Sequence, residues 1–168
     1  TVNGVSKSYC MTGWRIGYAA GRKDLIKAMI KIQGQSTSNP SSISQYAALA
    51  GIQGKRDFLT PCLEAFDKRR KLVVNELNSI EGIECMMPKG AFYAYPNVRG
   101  LLGRVTDNGK TLMNDSDVTQ WLLEDAKVAA VPGAAFGLEP FFRVSYATSY
   151  EILENALHNI KKSINNLK

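Results

Sequence analysis

The chain has 168 residues, of which 45% are apolar and 21% charged, and a formal net charge of +6 at pH 7. This composition is typical of a soluble globular protein that is long enough to bury a sizeable core. The lysines and arginines are scattered without interleaved aromatic residues, which argues against a nucleic-acid-binding protein, and no stretch of about 20 apolar residues could span a membrane.

The few cysteines and the single histidine limit the chemistry further. Cys10, Cys62 and Cys85 are widely spaced and suggest neither a CxxC pair nor a disulfide framework, which predicts a reducing, cytoplasmic location. His158 is the only histidine, and we expect it to be solvated, so neither a metal site nor a catalytic triad is expected. Because the chain begins at Thr1 without a methionine, we interpret it as a fragment or a processed product.

The opening segment places two cations close together in sequence. Lys7 lies among small and hydroxyl residues, and Arg15 follows it after a turn in which we expect Gly13 to permit the change of direction. Residues 15–21 then alternate small and larger apolar side chains, as a buried strand would. Two cations on neighbouring backbone suit an anionic ligand, or the lysine can be a nucleophile. The alternative is that both are solvated charges beside a strand.

Two helices joined by a polar loop are predicted next. Residues 22–35 have helical periodicity, and residues 35–42 form a polar loop with an Asn-Pro turn. Ser42 and Gln45 have the spacing of a capping box for a helix over 43–54. The first helix has an apolar face formed by Leu25, Met29 and Ile32, and a face that we interpret as solvated, formed by Lys23, Lys27 and Lys31.

The rest of the chain predicts an α+β layer. Residues 56–80 contain the longest helical pattern, with Pro61 in its first turn. Its apolar stripe is formed by Leu59, Leu63, Phe66, Val73, Leu77 and Ile80. The remaining predicted elements are strands over 83–86, 91–95, 128–131 and 142–147, a helix over 117–126 that is capped by Ser116 and turns Val118, Trp121 and Leu122 inward, and a last helix that begins with a capping box of Thr148 and Glu151. The apolar stripe of the last helix is formed by Leu153, Leu157, Ile160, Ile164 and Leu167. This order predicts helices packed on a small sheet, and a boundary at 54–58 divides the chain into domains 1–55 and 56–168.

Several motifs resemble one enzyme family. The segment S-K-S-Y-C-M-T-G-W-R-I-G-Y (6–18) resembles the cofactor-lysine segment of class I/II aminotransferases, which are fold-type I enzymes that use pyridoxal 5'-phosphate. The chain is most similar to the bacterial aspartate aminotransferase branch. Four further motifs carry the resemblance: Q-S-T-S-N (35–39), P-K-G-A-F-Y (88–93), V-P-G-A-A-F-G (131–137) and F-R-V-S-Y-A-T (142–148).

The resemblance implies an α/β fold and a set of site residues. The chain would be the C-terminal part of a fold-type I transferase, with 1–55 ending the large domain and 56–168 forming the small one. Lys7 would form a Schiff base with the cofactor and then move a proton, while Arg15, with Ser6 nearby, would bind the cofactor phosphate. Arg143 would bind the substrate α-carboxylate, and Phe92 would line the pocket. From the residues alone, Arg143 could instead form a core ion pair and Phe92 could be a core aromatic.

The resemblance also implies an activity. The protein would move an amino group between aspartate and 2-oxoglutarate in amino-acid biosynthesis, as a cytoplasmic homodimer whose loop 35–42 lies near the dimer interface. The alternatives are an aromatic or prephenate aminotransferase, a C–S lyase, or a non-catalytic folding or dimerisation module. In the family, the groups that hold the cofactor ring precede Thr1, and Gly4 replaces a phosphate-binding serine of some branches. We therefore expect this chain alone to bind the cofactor weakly and to transaminate negligibly.

Overall fold

The computed structural model describes residues 1–168 as two compact units, Thr1–Pro61 and Cys62–Lys168. The first unit contains two short antiparallel strands, β1 (Val2–Gly4) and β2 (Gly17–Ala19), in which Gly4 lies opposite Gly17. Two helices follow, α1 (Lys23–Ser36) and α2 (Ser42–Gln53). Both helices lie within about a residue of their predicted ranges, and the polar loop between them is 37–41.

Little of the first unit is buried. Its core consists of Val5, Ile16 and Ala48, with Tyr9, Met11 and Ile52 packed against them. The prediction of a buried strand over 15–21 is wrong, since only Gly17–Ala19 are extended and Tyr18 is 45% exposed. The physical reason is that β2 pairs with β1 alone. The predicted apolar face of α1 is also exposed, because nothing in the unit covers it.

The start of α2 differs from its predicted capping box. The residue that caps the helix is Ser41, and its side chain makes no capping bond. Instead of reaching the helix N-terminus, the amide Nε2 of Gln45 donates to the carbonyl of Pro40 at 2.9 Å. The capping box of Ser42 and Gln45 is therefore wrong, because the glutamine side chain bonds the residue before the cap.

The second unit packs three helices on a three-stranded antiparallel sheet. The strands β3 (Tyr93–Ala94), β4 (Val131–Pro132) and β5 (Phe142–Ser145) are ordered β3-β5-β4. The strand β5 is therefore central, with Val131 opposite Arg143 and Tyr93 opposite Ser145. The helices are α3 (Leu59–Asn78), which begins at the end of the first unit, α4 (Asp115–Trp121), which continues as a π-helix over Leu122–Ala126, and α5 (Tyr150–Asn165).

The predicted apolar stripes of these helices form most of the main core, although Leu63, near the start of the stripe predicted for 56–80, is 67% exposed. Val73 and Leu77 of α3 are buried, as are Val118 and Trp121 of α4. The stripe of α5 is also buried, and His158 on its other side is exposed, as the periodicity predicts. The buried α5 residues are Leu153, Leu157, Ile160 and Ile164.

The predicted strand over 83–86 is wrong. Only one bridge forms there, between Glu84 and Asn97. The side chain of Asn78 takes the backbone groups of Cys85 that a longer ladder would need, since Nδ2 donates to the Cys85 carbonyl at 2.9 Å and Oδ1 accepts from the Cys85 N–H at 2.7 Å. The other strands form within their predicted regions but are shorter or displaced by a residue.

The two helix caps predicted in this unit are also wrong, because each capping residue lies one or two positions from the predicted one. The N–H of Asp117 donates to Oδ1 of Asn114 at 2.9 Å, so Asn114 caps α4 in place of Ser116. Ser149, rather than Thr148, caps α5 by accepting from the N–H of Ile152 at 3.3 Å. None of the helices is both long and apolar enough to cross a bilayer.

Candidate active site

Lys7 and Arg15 lie on the loop that connects β1 to β2. The base of this loop is closed by a bond from the N–H of Val5 to the carbonyl of Ile16 at 3.3 Å. The side chains of Val5 and Ile16 are both buried against Ala48 of α2. Residues 6–15 therefore extend from an anchored base, with Ser6 half-buried and the two cations exposed.

Two tight turns shape this loop. The first contains Lys7, whose carbonyl accepts from the N–H of Cys10 at 3.1 Å. The second is a 3-10 turn over Thr12–Trp14, and the guanidinium Nη1 of Arg15 donates back to the carbonyl of Thr12 at 3.2 Å. This bond holds the Arg15 side chain against the turn that precedes it. The backbone of the loop therefore fixes the guanidinium of Arg15, and no acidic side chain forms an ion pair with it.

The backbone strain of this loop lies at two residues with side chains and not at Gly13. Cys10 and Arg15 both have φ of 54°, in the left-handed region that is unfavourable for residues with a side chain. The expectation that Gly13 permits the turn is wrong, because its φ is not positive and a Cβ there would meet no atom within 4 Å. Strained non-glycine residues cluster at functional sites.

Gly4 has a steric role at the base of the loop. A Cβ at this position would lie 3.1 Å from the carbonyl oxygen of Ile16 and 3.5 Å from the Cα of Gly17. The two strands approach closely at this pair, so a larger residue here would require the strands to move apart by a few tenths of an ångström.

In the second unit, Arg143 lies on the central strand β5 between two aromatic rings. Its Cζ is 4.5 Å from the ring centroid of Tyr93 and 4.5 Å from that of Phe136. Tyr93 belongs to β3, while Phe136 ends the 3-10 turn Gly133–Phe136 after β4. The strand β3 thus contributes one ring beside the half-buried guanidinium, and the turn that follows β4 contributes the other.

The electrostatics of Arg143 exclude one of its two predicted roles. The ion pairs of the chain involve other residues, so no carboxylate lies within 4.0 Å of this guanidinium. The alternative of a core ion pair is therefore wrong. Aromatic faces attract the charge but leave the N–H donors at the edge of the guanidinium plane available. This arrangement suits a planar anion such as a carboxylate.

Phe92 packs against the core, and a hydrogen bond holds the turn that precedes it. The ring of Phe92 packs against the core of the second unit, with its centroid 6.4 Å from that of Phe66 on α3. Burial raises the pKa of Tyr146, so its hydroxyl stays protonated and donates to the carbonyl of Ala91 at 3.2 Å. Ala91 has a φ of 59°, and this bond stabilises the strained turn that leads into Phe92 and Tyr93.

The structure thus groups Ser6, Lys7 and Arg15 on one loop of the first unit, and it places Arg143 and Phe92 in the second. Sequence reasoning missed the rings of Tyr93 and Phe136, although both lie within quoted motifs. An arginine in an apolar strand is the only signal that could have prompted a search for them. No group of three histidine, cysteine or acidic side chains forms a metal site.

Comparisons with known proteins agree with this architecture. The sequence matches the family described as aminotransferase class I and II over residues 1–160. It is 56% identical over 167 residues to an aspartate aminotransferase of Rhizobium meliloti, and 54% identical over 161 residues to an aspartate/prephenate aminotransferase of Cereibacter sphaeroides. These alignments cover 99% and 96% of this chain but only 41% and 40% of the relatives, so the chain spans about two-fifths of their length.

Solved structures show the same relation. The crystal structure of the aspartate aminotransferase from Rhizobium meliloti superimposes with a TM-score of 0.97 at 55% identity, covering 100% of this chain and 42% of that one. An aromatic aminotransferase from Pyrococcus horikoshii superimposes with a TM-score of 0.84 at 37% identity, covering 98% of this chain and 42% of that one. The α/β fold predicted from the sequence is therefore confirmed.

Proposed function

Because the chain belongs to the class I and II aminotransferases, we propose that it is the C-terminal portion of an enzyme that moves an amino group between aspartate and 2-oxoglutarate. The observation that carries this proposal is the anchored loop 6–15, which presents an amine and a guanidinium from one short, strained segment. Residues 1–55 would end the large domain of the enzyme, and residues 56–168 would form the small domain.

The donors on the loop fit pyridoxal 5'-phosphate. The ε-amine of Lys7 is a group that bonds an aldehyde covalently. The guanidinium of Arg15 offers paired N–H donors to phosphate oxygens, and the hydroxyl of Ser6 offers another donor. When bound, the cofactor supplies an electron sink that stabilises negative charge on the amino acid.

Lys7 would also move the proton that transamination requires. Its Nζ would take the proton from the Cα of the amino acid and deliver it to the cofactor carbon C4′, and it would move a proton in the opposite direction when the 2-oxo acid receives the amino group. Proton transfer by a positioned side chain contributes about 10²–10⁴-fold to a rate. The short turn that Lys7 shares with Cys10 supports this role, because it fixes the backbone from which the amine extends.

Arg143 would bind the α-carboxylate of the amino acid. The contacts with the rings of Tyr93 and Phe136 limit the movement of the guanidinium. A fixed plane can form two parallel N–H···O bonds with a carboxylate, which a flexible ammonium cannot. Phe92 would complete the apolar wall beside the substrate.

The exposed apolar surface of the first unit supports packing against further protein. Several large apolar side chains of α1 and α2 are exposed, and extensive exposed apolar surface marks sites where proteins pack together. We propose that this surface packs within a homodimer, with loop 35–42 near the interface. The residues concerned are Leu25, Ile30, Ile32, Ile43 and Tyr46. The three free cysteines support a cytoplasmic location for an enzyme of amino-acid biosynthesis.

A second candidate substrate is prephenate. The relative from Cereibacter sphaeroides is named an aspartate/prephenate aminotransferase and is almost as similar as the aspartate enzyme. Assaying the full-length protein with aspartate against both 2-oxoglutarate and prephenate separates the two. A value of kcat/KM at least tenfold higher for prephenate would favour the second candidate.

Replacing Lys7 by alanine in the full-length protein tests the proposal. We expect Lys7→Ala to abolish transamination while the protein keeps its oligomeric state in gel filtration. The matched control is Lys23→Ala, which removes an exposed lysine from the start of α1 in the same unit. Activity that survives Lys7→Ala, or an inactive wild-type protein that only assembles, would overturn the proposal in favour of a non-catalytic module.

A further inference from the structure

Asp115, at the start of α4, is buried and incompletely paired. Its exposed fraction is 1%. The oxygen Oδ2 accepts from the N–H of Ala134 at 3.1 Å and, more weakly, from that of Phe141 at 3.4 Å, whereas Oδ1 has no hydrogen-bond partner. Burying a carboxylate with one unpaired oxygen is unfavourable. Stability of the fold alone therefore does not explain an acidic residue at this position.

The two bonds of Asp115 join both ends of one loop. Ala134 lies in the 3-10 turn after β4, and Phe141 directly precedes β5. The loop is closed further by bonds from the N–H of Gly133 to the carbonyl of Phe141 at 2.7 Å and from the N–H of Leu138 to the carbonyl of Gly133 at 3.1 Å. Asp115 thus holds residues 133–141 from the side of α4.

Gly133 shows how tightly this loop closes. A Cβ on Gly133 would lie 2.0 Å from the carbonyl oxygen of Leu138 and 3.1 Å from Oδ2 of Asp115. Real Cβ atoms do not approach an oxygen to 2.0 Å, so only glycine permits this closure. Asp115 and loop 133–141 are packed closely together around Gly133. A displacement of the loop would therefore break several hydrogen bonds at once.

This loop controls the surroundings of Arg143. It carries Phe136, whose ring lies 4.5 Å from the guanidinium carbon, and its end leads directly into β5, which carries Arg143. The ring of Tyr95 lies edge-on to Phe136, with centroids 6.3 Å apart, and packs against it. Both the ring and the strand that orient the guanidinium therefore depend on the loop that Asp115 holds.

We propose that Asp115 is a positioning residue, which fixes loop 133–141 so that Phe136 and β5 hold the guanidinium of Arg143 in the plane that receives a substrate carboxylate. The inference rests on the proposed function of Arg143 and adds to it. Asp115 does not touch the substrate. Hydrogen bonds to a charged carboxylate are stronger than bonds to a neutral amide, so an aspartate holds the loop more firmly than an asparagine.

Asp115→Asn in the full-length protein is the decisive variant. It preserves the shape and one acceptor but removes the charge. We expect KM for aspartate to rise about tenfold and kcat to change by less than about threefold, because the α-carboxylate is bound equally in the ground state and the transition state. The matched control is Ile164→Val, which removes a buried methyl group from α5 in the same unit and is not bonded to the loop.

Two further measurements keep the test independent of folding and of activity. Phe136→Leu changes a half-exposed ring and should raise KM by itself, and the double variant Asp115→Asn/Phe136→Leu should raise it less than the product of the two effects. Amide hydrogen exchange at Ala134 and Phe141 should become faster in Asp115→Asn and remain unchanged in the control.

The outcomes separate the two proposals. Faster exchange at Ala134 and Phe141 with an unchanged KM would overturn the positioning role while leaving the function of Arg143 intact. An equal rise of KM in Ile164→Val would also overturn it, since general destabilisation would then explain the result. If Asp115→Asn fails to fold, an unchanged KM in Phe136→Leu refutes the inference. Absence of transaminase activity in the wild-type protein would remove the proposed function and this inference together.

Discussion

Replacing Arg143 by lysine preserves the positive charge but removes the planar pair of donors. In the structure the guanidinium carbon lies 4.5 Å from the ring centroids of both Tyr93 and Phe136, and the group has no carboxylate partner of its own. A lysine ammonium can form one bond to the substrate carboxylate where arginine forms two. It also lacks the flat surface that packs between two rings.

The magnitude follows from the bond that is lost. A hydrogen bond to a charged group is worth about 1.5–3 kcal/mol. At about 1.4 kcal/mol for each tenfold change, Arg143→Lys should lower kcat/KM for aspartate by about 10- to 150-fold. The cation–π contacts, at about 0.5–1 kcal/mol each, orient the side chain before the substrate binds, so their loss should add to this effect.

Steady-state transamination by the full-length protein measures this change. The matched control is Arg104→Lys, which alters another half-buried arginine of the same unit, one that pairs with Glu81 at 3.5 Å. We expect the control to retain wild-type kcat/KM within about twofold. The reasoning is refuted if Arg143→Lys retains wild-type kcat/KM, or if Arg104→Lys lowers it by the same factor.

Three further predictions concern stability and the chain by itself. Leu77→Ala should lower the free energy of unfolding by about 2–5 kcal/mol in chemical denaturation, because Leu77 is fully buried; a loss below about 1 kcal/mol would contradict the packing. The hydrogen bond from Lys110 holds the pKa of Asp117 below its ordinary 3.8, so its carboxylate stabilises the folded state above pH 3.8, and this stabilisation disappears as the pH falls through the lowered pKa. Urea titrations should therefore show the stability difference between wild type and Asp117→Asn vanishing in acid, whereas a difference that persists would contradict the ion pair. Residues 1–168 alone should bind pyridoxal 5'-phosphate weakly and transaminate negligibly, so a full-strength absorbance change near ~420 nm, typical of such cofactors, would show that expectation to be wrong.

Helical periodicity predicted most of the fold because helices bury a stripe of side chains that recurs along the sequence. In α5 the apolar positions were identified correctly since the same residues face the core. Strands were harder to predict because they depend on partners distant in sequence. Residues 83–86 look like a strand, but Asn78 bonds the backbone of Cys85 from the end of α3. No local pattern reveals that contact.

The candidate site was predicted unevenly for a similar reason. Lys7, Arg15 and Arg143 stand in recognisable motifs, and their side-chain chemistry suits anions. Phe136 and Asp115 gain their roles only from the fold, since they act on Arg143 from a loop and from a helix that are separate in sequence. The exposure of the apolar face of α1 could not be predicted, because periodicity shows that a face is apolar but not what covers it.

Chemical identification of the residue that carries the cofactor tests the central claim most directly. The full-length protein would be incubated with pyridoxal 5'-phosphate, reduced with borohydride to make the bond to lysine permanent, digested, and analysed by mass spectrometry. We predict that the cofactor mass is found on Lys7, and that competing inorganic phosphate lowers the yield less in Arg15→Ala than in wild type. Labelling spread over exposed lysines such as Lys23 and Lys27, with none concentrated on Lys7, would contradict the account.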